Sequence, residues 1–109
     1  MATTYKVLGQ SNPSATTATT LYTVPAATQA VVSTIVICNQ TATAATFRIA
    51  VRPAGASLAA QHYVAYDVTV GASDSTALTL GITLGATDVI TVYGSTATLS
   101  FTAFGSEIA

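Results

Sequence analysis

His62 is the only histidine in the chain and Cys38 the only cysteine. A metal site would therefore have to join one imidazole to carboxylates drawn from Asp67, Asp74, Asp88 and Glu107. No two of these residues stand at a recognised ligand spacing. A nucleophile and base pair would need a serine or Cys38 beside His62, with an acid such as Asp67 to orient the ring. Serines are plentiful, but no Gly-x-Ser-x-Gly elbow accompanies them. The expectation is a chain without catalytic residues, metal or other cofactor. Asp74 and Asp88 each precede an apolar run in a Gly- and Ala-rich turn, where an aspartate bonds its own backbone and sets the turn. The side chains left over are better suited to contact than to chemistry. Arg48, Arg52, His62, Tyr63 and Tyr66 are the candidate subunit-contact residues, since tyrosine and arginine give large, rigid contact area.

These residues are carried by strands. Apolar side chains recur every second position almost throughout, and no stretch keeps a 3.6-residue stripe over three turns. Candidate strands are Thr4 to Leu8, Thr20 to Val24, Ala30 to Asn39, Ala45 to Arg52, Gln61 to Val70, Ser75 to Leu84, Asp88 to Gly94 and Thr96 to Phe104. Turn residues separate them at about ten-residue intervals, the spacing of a β-sandwich or jelly roll. The expected fold is thus all-β, an antiparallel β-sandwich, jelly-roll-like, in a single domain spanning residues 1 to 109. In Thr46 to Arg52, Phe47, Ile49 and Val51 face the core while Arg48, Ala50 and Arg52 face out. The run Val31 to Cys38 is apolar on both faces, which predicts a central strand covered on its second side by a neighbour or a loop. A continuous strand would send Tyr63 and Tyr66 to opposite faces.

Charge is scarce. Three Lys and Arg and four Asp and Glu make 6% of 109 residues, against about a quarter in an ordinary soluble domain. Thr and Ala, each about a fifth of the chain, take their place. Such a surface solvates weakly, and suits a protein held against neighbours. With a net charge of -1 there is no basic stripe to displace counterions from phosphates, so no nucleic acid partner is expected. The N-terminal residues lack the basic and apolar regions of a signal peptide, and no apolar run nears the roughly 18 residues of a membrane span. No membrane partner is expected either. One cysteine allows no intrachain disulfide, and its setting in Ile35-Val36-Ile37-Cys38 predicts a buried thiol.

Three segments taken together carry a resemblance: Leu21-Tyr22-Thr23-Val24-Pro25-Ala26, then Val31 to Asn39 with its Ile-Cys-Asn ending, then Ala45-Thr46-Phe47-Arg48-Ile49-Ala50-Val51. Continued by Gln61-His62-Tyr63 and Thr87 to Tyr93, this succession resembles small all-β virion structural proteins of tailed bacteriophages, above all those of cyanobacterial phages. The resemblance implies a non-enzymatic capsid decoration or cement protein that binds across capsomers. It implies the major capsid protein or other virion proteins as partners, a homo-oligomer with a trimer favoured, and residence in the virion after assembly in the host cytoplasm. A tail, baseplate or fibre component, or a host-receptor or carbohydrate-binding sandwich gripping a glycan through Tyr63 or Tyr66, are the alternatives.

Overall fold

The computed structural model describes residues 2–109. Its strands are β1 (Thr3–Ser11), β2 (Thr19–Thr23), β3 (Gln29–Asn39), β4 (Ala45–Arg52), β5 (Tyr63–Val70), β6 (Ser75–Leu78), β7 (Ile82–Leu84), β8 (Val89–Gly94) and β9 (Leu99–Ile108). They form two antiparallel sheets. Sheet A runs β1-β9-β3-β6, with β7 continuing beside β3 where β6 stops, and sheet B runs β2-β8-β4-β5.

The pairs β1 with β9, β2 with β8, β3 with β6 and β7, and β4 with β5 are those of one long hairpin folded at the β4–β5 connection. Wrapping that hairpin adds the pairs β3 with β9 and β4 with β8 and lays the sheets face to face. This is a jelly roll, in agreement with the fold expected from the spacing of the turns. Pro25, which has no amide to donate, lies beyond the end of β2 and leads toward β3.

Alternation places the core. Ala30, Val32, Ile35 and Ile37 of β3 point inward, as do Phe47 and Ile49 of β4, Ile90 and Val92 of β8, and Leu99, Phe101 and Ala103 of β9. Phe47 and Phe101 meet edge to face across the two sheets, with centroids 6.2 Å apart and planes at 75°.

Several details differ from the sequence expectations. The run Ser75 to Leu84 is two strands, since Thr79-Leu80-Gly81 leaves the sheet and Gly81 takes φ +62°. Gln61 and His62 belong to a 3-10 turn (Ala60–His62), so β5 starts at Tyr63. The last strand begins at Leu99, after a turn, and continues to Ile108. Near its end it is flanked by two bulges, at Leu8 in β1 and at Ser33 in β3. Gly105 lies between them, and a Cβ there would overlap the Val31 carbonyl. Within this chain the outer face of β3 is half-buried: Val31, Thr34, Val36 and Cys38 lie beside the β9 and β6 side chains of their own sheet. The Cys38 thiol is therefore not deeply buried.

At one end of the sandwich Glu107 ties the sheets together. The Tyr22 hydroxyl, from sheet B, donates to Glu107 Oε2 at 2.5 Å, and Lys6 Nζ lies 2.9 Å from Oε1. The tyrosine hydrogen bond, and then Lys6, hold the Glu107 carboxyl below its ordinary range. Burial first, then the same hydrogen bond, push the Tyr22 hydroxyl up. A carboxylate depressed in the folded state adds stability above its unfolded value of about 4.3, which is lost as pH falls through the folded value. Tyr22→Phe should therefore be less stable than wild type by about 1.5 kcal/mol at pH 7, the low end for a bond to a charged group at a partly exposed site. The difference should shrink at pH 3, and urea unfolding of both chains at the two pH values checks it.

Candidate functional site

On the outer face of sheet B, β4 and β8 run side by side and place Arg48 opposite Tyr93. Strand β5 completes the site from the other side of β4, and does so through an irregular edge. Ala50 pairs with Tyr63 and Ile49 with Ala65, which leaves Val64 as an extra residue. One added residue reverses the facing of all that follow. Tyr66 thus returns to the face that Tyr63 occupies, and their rings meet edge to face at 5.0 Å. The expectation of opposite faces is overturned by this bulge.

A second irregularity follows at once. Tyr66 and Asp67 together stand opposite Arg48, and Asp67 takes φ +52°, a conformation that a short polar residue tolerates better than most. The turn this makes swings the Asp67 carboxylate onto Arg48. Nε donates to Oδ1 at 2.6 Å and Nη2 to Oδ2 at 3.3 Å, a two-point clasp. The guanidinium also lies between two rings, its central carbon 4.1 Å from the Tyr66 centroid and 4.3 Å from that of Tyr93. Its hydrogen bond to Asp67 raises the Arg48 pKa further, so the group stays charged at any working pH. An arginine with four rotatable bonds is fixed here by a carboxylate and two aromatic faces.

Beside the clasp is an open depression lined by Leu58, Ala59, Ala60, Tyr63 and Tyr66. Its floor is shaped by the 3-10 turn, which His62 closes: the Ala59 amide donates to His62 Nδ1 at 3.1 Å, and the ring is buried. That bond requires an unprotonated Nδ1. His62 thus positions the wall of the depression and does not reach its surface.

Of the five candidate contact residues, Arg48, Tyr63 and Tyr66 come together. Arg52 lies further along β4, where Nε donates to Thr91 Oγ1 at 3.0 Å and Nη1 to the Ala56 carbonyl at 3.0 Å, holding the turn after β4. Asp88 holds the same turn, accepting the Ala54 amide on Oδ1 at 2.8 Å, and accepts the Gly85 amide on Oδ2 at 2.9 Å. Asp74 accepts the Ser75 amide at 2.8 Å. Both acids act as turn residues. Tyr93, Asp67 and Leu58 are members of the site that sequence reasoning did not bring to it.

Among the described residues no three His, Cys, Asp or Glu side chains gather closely enough to hold a metal ion. No helix is long and apolar enough to cross a membrane. No family model matches the chain, and neither does any curated protein or solved structure.

Proposed function

We propose that this chain is a non-enzymatic structural protein of a phage particle, a decoration protein that stabilises the head by lying across capsomer boundaries against the major capsid protein. The observation that carries the reading is the outer face of sheet A. Strands β1, β9, β3 and β6 direct outward Tyr5, Val7, Phe104, Thr102, Val36 and Ala77, among others, and none of the outward side chains is charged. Tyr5, Val7 and Phe104 are exposed.

Such a face has little to lose in leaving water. Its hydroxyls are partly engaged already, Ser33 Oγ donating to the Phe104 carbonyl at 3.1 Å and Thr34 sharing a hydrogen bond with Thr79. Burying it against a neighbour gains apolar area without stranding a charge. Over many copies in a shell, modest contacts of this kind add into large resistance to expansion. The sandwich supplies rigidity, and no covalent step is involved.

The test is immunogold electron microscopy of intact particles with antibody raised against the recombinant chain. Label over the heads supports the proposal, label confined to the tail moves the protein to a tail, baseplate or fibre position, and unlabelled particles overturn a virion role. A Phe104→Lys chain, altered at an exposed position, should bind heads stripped of the protein about tenfold more weakly than wild type, the loss of one exposed aromatic contact. Equal binding would remove sheet A from the contact.

A further inference from the structure

The depression on sheet B is on the opposite side of the sandwich from the uncharged face of sheet A, and its chemistry is different. We propose that the site formed by Tyr63, Tyr66, Arg48, Asp67 and Tyr93 binds a neutral saccharide, a sugar ring resting on Tyr66 with its hydroxyls on the polar groups beside it. This does not depend on a virion role.

Four features carry the inference. Tyr66 is 57% exposed although it sits in a sheet, and since Arg48 covers one face of its ring, the face a ligand would meet is the other. An aromatic face carries partial negative charge, and the C–H groups on the apolar side of a pyranose carry partial positive charge, so the two stack. The Tyr63 ring stands perpendicular to that ring and with Leu58 lines the depression, giving a shallow concave seat instead of a flat patch.

The polar groups beside the seat, Arg48 and Asp67, are fixed in place and still have hydrogen-bonding capacity. Arg48 Nε and Nη2 are engaged by Asp67. Among the described residues no hydrogen bond occupies Arg48 Nη1 or the hydroxyls of Tyr63, Tyr66 and Tyr93. Asp67, whose side chain is 46% exposed, retains open lone pairs. An arginine and aspartate held together offer a donor and an acceptor side by side, which matches vicinal hydroxyls. Because the donors are immobilised between rings before any ligand arrives, little side-chain freedom is lost on binding.

Charge selects the ligand class. Arg48 and Asp67 cancel, so the seat has no net charge to attract a phosphate, sulfate or carboxylate. A nucleic acid could stack a base on Tyr66, but its backbone would meet one already paired arginine and no basic track. A neutral, hydroxyl-rich ring satisfies both the aromatic face and the paired donor and acceptor.

The experiment is affinity electrophoresis of the purified chain through native gels containing a soluble glucan, mannan, galactan or xylan, with tyrosine fluorescence as a second readout. The chain has no tryptophan, and Tyr63, Tyr66 and Tyr93 are three of its five tyrosines, so the site contributes to its emission. Retardation by at least one polysaccharide is expected, with a fluorescence change on titration. Tyr66→Ala should weaken it about tenfold, the loss of one stacking contact, and Tyr66→Phe should retain most of it. Tyr5→Ala, on the other side of the molecule, should leave it unchanged. Migration unaffected by all four polysaccharides overturns the proposal, as does equal retardation of wild type and Tyr66→Ala. If the wild type ignores every polysaccharide and Tyr66→Ala changes its sedimentation, the patch is a protein contact and the saccharide site is refuted.

Discussion

Phe101→Ala should lower the unfolding free energy by about 3–5 kcal/mol, the range for deleting a buried aromatic ring. Phe101 is fully buried near the start of β9, the strand that joins β1 to β3. Its ring meets Phe47 of β4 edge to face, so the pair is the place where the two sheets hold each other most directly. Neither sheet can move in to fill the void, because each is braced by antiparallel partners on both sides of the affected strand. A domain of this size has about 5–15 kcal/mol in all, so the variant loses a large part of its stability. Urea unfolding at pH 7 measures the loss, and Phe47→Ala with the double variant completes a cycle. A coupling of about 0.5–1.5 kcal/mol is expected from the edge-to-face geometry. A Phe101→Ala loss below about 1 kcal/mol would mean that the sheets are not joined through these rings.

The cost of wrapping is visible in the same arrangement. Every sheet pair except β4 with β5 links strands distant in sequence, β1 with β9 most of all. The ordering entropy is committed before these contacts form, and jelly rolls of this kind fold slowly for that reason. A low-charge chain that folds slowly is exposed to aggregation. The edges carry the usual protection: Lys6 stands in the middle of β1, and β5 is broken by the irregularities at Val64 and Asp67.

How much of this could be read from the residues depends on what fixes each feature. Alternation is a property of the strand backbone, so the inward faces of β4 and of the first half of β9 follow from the positions of Phe47 and Phe101, whereas in β3 the bulge at Ser33 moves the inward set from Ala30 and Val32 to Ile35 and Ile37. The bounds Ala45 to Arg52 of β4 agree at both ends because Pro53 cannot continue a central strand. Bulges have no such signature. Nothing in Tyr63-Val64-Ala65-Tyr66-Asp67 marks Val64 as unpaired, since the cause is the fit of β5 against β4 and the reach of Asp67 to Arg48. The site was lost with that single residue of register: opposite faces for Tyr63 and Tyr66 make no cluster, and Tyr93 joins only once β8 lies beside β4. Likewise Leu80 continues the apolar alternation, and only Gly81 hints that Ser75 to Leu84 breaks in two.

Asn39 shows the same limit from the polar side, and it supports the second large prediction. In sequence, Asn39-Gln40 looks like an ordinary turn after a strand. In the fold the Asn39 side chain is buried, and its Nδ2 donates toward three carbonyls, of Thr43 at 2.9 Å, Gly71 at 3.2 Å and Val70 at 3.4 Å. Its Oδ1 accepts the Thr41 amide at 3.2 Å and the Thr98 hydroxyl at 3.3 Å. One amide thus gathers the β3–β4 connection, the end of β5 and the turn before β9. Asn39→Asp keeps the shape and replaces the donor by an oxygen facing three carbonyl oxygens. At pH 7 this sets a buried charge against like partial charges, and a loss of about 3 kcal/mol or more is expected. The folded state should hold the new carboxyl protonated to a higher pH than the unfolded chain does, at about 3.9. Stability of the variant relative to wild type should then be greatest below that value, where the acid is neutral in both states and can donate one proton to a carbonyl, and should fall as pH rises. Thermal or urea unfolding at pH 3 and pH 7 reads the difference. An Asn39→Asp chain as stable as wild type at pH 7 would show that the loops are held by the accepting oxygen alone, and that the donor side of this amide contributes nothing.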